Sequence, residues 1–174
     1  MGRDKALLLV EGRPMAARVA EAARAAGATQ VVAVGGQGGA LEALDLPVVP
    51  DPHPGGGPLQ AVVGALEALG PGIVLVLACD LVHPDPAAMA ATVEALTGAP
   101  AAAVALPLDD RGRRQWVHAS WRPTMARPVL AEAWRRGERS LHRAVAGLVV
   151  LDVRGVERTG LLDADRPEDL PGDG

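Results

Sequence analysis

Ile73-Val74-Leu75-Val76-Leu77-Ala78-Cys79-Asp80 decides the fold class. Seven apolar residues, Cys79 included, follow one another without alternation and then meet a carboxylate. Such a run fits a strand covered on both faces, as in a parallel sheet flanked by helices. The flanks agree. Upstream, Pro58 opens a helix with Leu59, Val62, Val63, Leu66 and Leu69 on one face. Downstream, Asp85-Pro86 caps a helix carrying Met89, Val93 and Leu96. Farther upstream, residues 30–34 and 46–49 read as short strands. Before them Met15, Val19, Ala22 and Ala26 recur at helical spacing, between Gly12-Arg13-Pro14 and a terminating Gly27. Toward the carboxyl end, residues 101–106, 116–121 and 148–153 read as strands. A helix over about 124–136 and a short one capped by Ser140 separate the last two. Strands alternate with helices through residue 106, so the class is α/β with a mainly parallel sheet. The length suits one domain over residues 1–170, with a loose tail at 171–174.

In open α/β sheets, ligands bind beyond the carboxyl ends of the strands. That rule singles out Gly35-Gly36, Asp51 and Cys79-Asp80, each directly after an expected strand. Asp80 is either a turn residue or a carboxylate ligand for Mg²⁺, which takes one or two protein carboxylates. Cys79 beside it reads as a small buried hydrophobe. Asp51, between Pro50 and Pro52, divides between turn chemistry and binding. Gly55-Gly56-Gly57-Pro58-Leu59 is either a flexible loop or a helix start where an anion meets backbone N–H groups. Asp163 and Asp165 could reach a metal or substrate, with Asp165 favoured as a helix cap. His53, His83, His118 and His142 show no zinc spacing. Neither a Walker A loop nor a dinucleotide fingerprint occurs.

The formal charge of −4 argues against nucleic acid, whose phosphate backbone demands a basic face. Three Trp with no Phe or Tyr leave little for base stacking. The lone Cys79 provides no disulfide framework and suits a reducing compartment. No apolar run is long enough for a bilayer and no signal peptide opens the chain, so a soluble cytoplasmic protein is expected. One residue departs from the general composition. Lys5 is the only lysine among 17 basic residues. A lysine is a compact point charge on a flexible stem, a different phosphate ligand from the planar arginine fork.

Several of these segments, in order, resemble a known family. Met1-Gly2-Arg3-Asp4-Lys5-Ala6-Leu7-Leu8 is similar to the second half of the nucleotide-binding signature of the molybdenum cofactor guanylyltransferases, the MobA-like nucleotidyltransferases. Gly12-Arg13-Pro14, Val49-Pro50-Asp51, Gly57-Pro58-Leu59, Cys79-Asp80 and Gly137-Glu138-Arg139-Ser140 match further segments of that pattern. Asp163-Ala164-Asp165-Arg166-Pro167-Glu168 resembles its closing Asn-x-Asn-Thr-Pro-Glu.

The resemblance implies a Rossmann-like three-layer nucleotidyltransferase fold, with a mainly parallel sheet and an antiparallel element. It implies Mg²⁺-dependent transfer of GMP from GTP to the terminal phosphate of molybdopterin, with release of pyrophosphate. A cytidylyltransferase using CTP, or a non-catalytic nucleotide- or pterin-binding protein, are the alternatives. Contact with other molybdenum-cofactor proteins would be transient. By the same resemblance, Lys5 goes to the GTP phosphates with Gly2 beside it, and Asp80 to Mg²⁺. Asp51 and Gly35-Gly36 go to the nucleoside, Gly57, Pro58 and Leu59 shape the nucleotide pocket, and Asp163 and Asp165 lie on the pterin side. The chain departs from the pattern in five places, one of them Val34, which replaces an asparagine seen in some members. Asp163 and Asp165 replace amides, Val82 stands where proline often follows Cys-Asp, and Gln60-Ala61 replace small residues. The first half of the signature, a strand ending in Leu-Ala-Gly-Gly, has no counterpart in these 174 residues. Without it, unpaired backbone groups and apolar surface are expected near the sheet centre.

Overall fold

The computed structural model describes residues 5–36, 38–51 and 54–155. A 3-10 turn, Lys5–Leu7, leads into a tight hairpin of β1 (Leu9–Val10) and β2 (Arg13–Pro14). Its turn residues Glu11 and Gly12 have φ of 53° and 73°. Two successive left-handed residues match the twist of paired strands, and glycine takes one of them without strain. Pro14 therefore ends a strand and caps α1 (Met15–Ala25), one residue later than the sequence suggests. Next come β3 (Ala33–Val34), α2 (Gly38–Glu42), β4 (Val48–Val49) and α3 (Gly57–Ala68). The glycine-rich stretch at 35–39 is turn-like in composition. Here α2 begins inside it, and Leu41 at 2 % exposure anchors that short helix to the core.

The apolar run at residue 73 onward forms β5 (Val74–Leu77). It is followed by α4 (Pro86–Gly98), β6 (Val104–Pro107) and β7 (His118–Trp121). The remaining elements are α5 (Pro123–Arg135), α6 (Leu141–Ala144) and β8 (Val150–Val153). The start of α4 is set as expected: Asp85 Oδ1 accepts the Ala87 N–H at 2.8 Å, and Pro86 needs no partner. Ser140 occupies the N-cap position of α6, but its side chain makes no capping bond. Just before the helix, Glu138 Oε1 accepts the N–H groups of Arg139 and Ser140, each at 2.7 Å.

One sheet has the order β5-β7-β6-β8. β7 runs antiparallel to both β5 and β6, while β6 and β8 are parallel. Strands β5, β6 and β8 thus share one direction and β7 is the antiparallel element, in an α/β fold. Side chains alternate across the pleat. Val74 and Val76 pack with α3, α5 and α6 around the fully buried Trp121. Leu75 and Leu77 pack on the other side with Val19, Ala22 and Ala23 of α1 and Met89 of α4. The covering of both faces explains the unbroken apolar run. Arg122 secures one seam: its guanidinium donates to Leu96 O at the end of α4 (2.8 Å) and to Ala102 O (3.1 Å).

The parallel pair β3–β4 forms a separate two-stranded sheet. β5 is an edge strand, and among the described residues no strand joins it to β3. The proposed tail at residues 171–174 lies outside the described residues.

Candidate functional site

The strand-end rule holds spatially for the candidates that are described. Gly35 closes β3 and its N–H donates to Val49 O at 2.9 Å, drawing the ends of β3 and β4 together. Gly35 has φ 73°, and a Cβ built there would lie 3.2 Å from Asp51 Cβ. Both the backbone conformation and the space beside Asp51 therefore call for glycine. Gly36 follows at φ 87°. Asp51 is partly buried, so this carboxylate is held beside the glycine turn rather than extended into solvent.

Across the gap, β5 ends at Leu77 and the chain turns at Cys79-Asp80. Lys5 Nζ lies 3.2 Å from Asp80 Oδ2, with side-chain exposures of 33 % and 16 %. The sole lysine and the carboxylate after the deciding strand are thus direct partners. Cys79 is exposed, contrary to its reading as a buried hydrophobe, because the chain has already left the sheet and turned. Next to Asp80, Leu81 and Val82 are buried and anchor the turn.

Arg18 escapes sequence reading, yet it braces this turn. From α1, its Nη2 donates to Val82 O at 3.3 Å. Its Nη1 donates to Val10 O at 3.2 Å and to Glu11 Oε2 at 2.5 Å. The Arg18 guanidinium holds the Glu11 carboxyl below its ordinary pKa. One planar fork thus joins the β1–β2 turn to the segment carrying Asp80. The only signal in the sequence is an arginine one turn into an otherwise alanine-rich helix, which by itself says nothing.

Gly57 and Pro58 are exposed at the start of α3, with Gly57 at φ 75°. Leu59 is fully buried in the core, so its side chain supports the loop from beneath. Gln60 is also buried, at 2 % exposure. Gly2, Asp163 and Asp165 lie outside the described residues, and the structure places none of them. A cavity of 650 Å³ lies between the two strand groups, with Ala6, Gly35, Gly36 and Cys79 in its wall. A second hollow, of 780 Å³, lies between α5 and α6, away from Lys5 and Asp80. In its wall, Glu138 accepts from Arg143, and Arg139 stacks 3.7 Å over the Trp134 ring centroid.

No group of three or more His, Cys, Asp or Glu side chains among the described residues could hold a metal. Single carboxylates at strand ends suit a cation that completes its shell with phosphate oxygens and water. One carboxylate beside an ammonium, as at Asp80 and Lys5, therefore fits a divalent cation that arrives with phosphate oxygens better than a protein-caged ion.

This arrangement coincides with a family profile. The profile of the MobA-like NTP transferase domain matches residues 1–150. The chain belongs to that family. The MobA-like domain is similar to the molybdenum cofactor guanylyltransferase of Pseudomonas putida, 31 % identical over 145 residues, covering 83 % of this chain and 74 % of the relative. It is similar also to the probable molybdenum cofactor guanylyltransferase of Opitutus terrae, 33 % identical, covering 97 % and 86 %. In three dimensions it superposes on molybdopterin-guanine dinucleotide biosynthesis protein A of Archaeoglobus fulgidus with a TM-score of 0.72. That match has 19 % identity and covers 97 % of this chain and 87 % of the other. The MobA-like domain is thus a member of a nucleotidyltransferase enzyme family with the corresponding α/β fold. No helix among its described residues is long and apolar enough to cross a membrane.

Proposed function

We propose that this chain transfers GMP from GTP to the terminal phosphate of molybdopterin. A phosphate oxygen of the pterin attacks the α-phosphorus of GTP, the bond to the β-phosphate breaks, and pyrophosphate leaves. The attacking oxygen is already ionised at neutral pH, so no general base is required. Rate enhancement then reduces to alignment and charge neutralisation. The observation that carries the reading is the Lys5–Asp80 pair at the strand-end rim.

In this mechanism Lys5 leaves Asp80 for the triphosphate, as a flexible ammonium can. Asp80 holds Mg²⁺, which when bound supplies neutralising charge at the phosphates. Asp51 and the Gly35-Gly36 turn receive the nucleoside, with Gly2, Gly57 and Pro58 admitting close approach and Leu59 shaping the pocket from below. Asp163 and Asp165 would serve the pterin. The whole is a single domain over residues 1–170, acting in the cytoplasm on free nucleotide and cofactor.

Thermal melting with magnesium and either GTP or CTP tests the nucleotide, because a ligand bound only by the native state raises Tm. Mg-GTP is expected to raise it and Mg-CTP, at equal concentration, is not. Release of pyrophosphate from Mg-GTP only when molybdopterin is present completes the test. A larger response to CTP would make the protein a cytidylyltransferase. Nucleotide binding without pyrophosphate release would make it a binding protein.

A further inference from the structure

The turn between β6 and β7 stands at the same rim as Asp80, and no role has been given to it above. β7 begins at His118, opposite Leu77, the last residue of β5. The chain before His118 and the chain after Leu77 therefore leave the sheet side by side, on strands about 5 Å apart. One carries Gln115-Trp116 and the other Cys79-Asp80. Gln115 N–H donates to Pro107 O, at the end of β6, at 3.0 Å.

Two features of this turn remain available to a ligand. The first is aromatic. Of the three tryptophans, Trp121 is fully buried, and Arg139 covers Trp134 from 3.7 Å. Trp116 is only partly buried, packed on the core cluster that includes Leu59 of α3. The exposed His142 of α6 stands at 78° to it, with ring centroids 6.0 Å apart. The two rings make a corner rather than a stack, so a flat heteroaromatic ring laid on one plane meets the other edge-on. The second feature is charge. Arg113 is committed to Asp109 at 2.7 Å and Arg114 to Asp152 at 2.8 Å. Asp109 also accepts the amides of Arg111 and Arg113, at 2.9 and 2.8 Å, which fixes the turn. The Arg111 guanidinium is exposed and pairs with no carboxylate among the described residues. Such a planar fork matches a phosphate.

A flat ring and a phosphate are the two ends of the acceptor in the reaction proposed above. Lys5 and Asp80 are taken up there by the triphosphate, so the acceptor phosphate needs a cation of its own. We propose that the β6–β7 turn and α6 form the acceptor subsite, in which Trp116 and His142 receive the pterin ring and Arg111 the terminal phosphate. This assignment rests on the guanylyl transfer proposed above. The two substrates then meet over the ends of β5 and β7, with the nucleoside toward Asp51 and the pterin toward α6.

Calorimetric titration with molybdopterin, without nucleotide, and steady-state kinetics with each substrate varied test it. The variants are Trp116→Leu, Arg111→Ala and His142→Ala. Trp116→Leu and Arg111→Ala are each expected to weaken molybdopterin binding by about tenfold or more. His142→Ala weakens it less, and KM for Mg-GTP stays unchanged in all three. Trp116 also packs on the core, so if Trp116→Leu does not fold, the exposed Arg111 and His142 carry the test. Three results would overturn the assignment: parent-like molybdopterin binding in Arg111→Ala and His142→Ala, equal losses for both substrates, or a rise in KM for GTP alone, which would give the corner to the guanine ring. Failure here is distinct from failure of the transfer reading. A parent that transfers GMP while its variants bind molybdopterin normally keeps the transfer and loses the subsite. A parent that binds molybdopterin through these residues but releases no pyrophosphate keeps the subsite and loses the transfer. A parent that does not bind molybdopterin loses both.

Discussion

Lys5 Nζ sits 3.2 Å from Asp80 Oδ2, joining the amino-terminal turn to the end of β5. The pair is partly exposed, and such pairs contribute about 0–1 kcal/mol to stability. Its weakness as a structural tie suits a lysine that exchanges its carboxylate for phosphate.

Function and stability should therefore separate at this pair. Lys5→Arg and Asp80→Asn are each expected to lower GMP transfer by about 10²-fold or more, the usual cost of removing one preorganised charge partner. Their urea midpoints should stay close to that of the parent. Equal turnover in Lys5→Arg would remove the phosphate role from the only lysine.

Gly35→Ala tests the contact with Asp51. The left-handed conformation costs a non-glycine residue about 1–2 kcal/mol, and the new Cβ also displaces Asp51. Gly27→Ala is the control, because its φ is 99° but nothing lies within 4 Å of the added carbon. Both variants should lose stability, while only Gly35→Ala raises KM for GTP. A parallel rise in both would detach Asp51 from the nucleotide.

Arg18→Lys should not restore what Arg18→Ala loses. A single ammonium cannot reach Val10 O, Glu11 and Val82 O together. Loss of charged hydrogen bonds here is expected to cost about 1.5–3 kcal/mol, and kcat should fall as the Asp80 turn loosens. Full rescue by lysine would reduce Arg18 to a general positive charge.

Acid should weaken the α5–α6 corner through Glu138. Its carboxylate accepts from Arg143 and from the Ser140 and Arg139 amides, which lowers its pKa from 4.5 to about 2. A depressed carboxylate stabilises the folded state fully above its unfolded pKa. That contribution fades as pH falls from about 4.5 toward about 2. The urea midpoints of the parent and Glu138→Gln should therefore differ at pH 7 and converge as the pH approaches 2. A difference that is constant over this range would mean that the carboxylate charge is not involved.

Local chemistry made much of this legible. Pro58 and Asp85-Pro86 mark helix starts because proline at the first turn sacrifices no hydrogen bond. The run at residue 73 reads as a covered strand because both faces of β5 are in fact packed. Asp51 and Asp80 stand out because strand ends are where ligands meet an α/β sheet. The misreadings have the same local origin. Ser140 is a good cap by type, but its side chain makes no capping bond, and Glu138 instead ties the amides of Arg139 and Ser140 just before the helix. Cys79 is apolar by type, but two residues beyond the sheet the chain is turning outward.

By itself the sequence determined the α/β class, the positions of the main helices, and a short set of rim residues, through its order of motifs. These depend on neighbours close along the chain, which spacing records. Only the tertiary structure decided that β7 lies between β5 and β6, that Arg18 braces the Asp80 turn, and that Lys5 and Asp80 are partners across 75 positions. It alone showed a cavity between the β3–β4 pair and β5. Pairings of this kind depend on which distant surfaces fit and which backbone groups remain unsatisfied, and no local pattern along the chain encodes that.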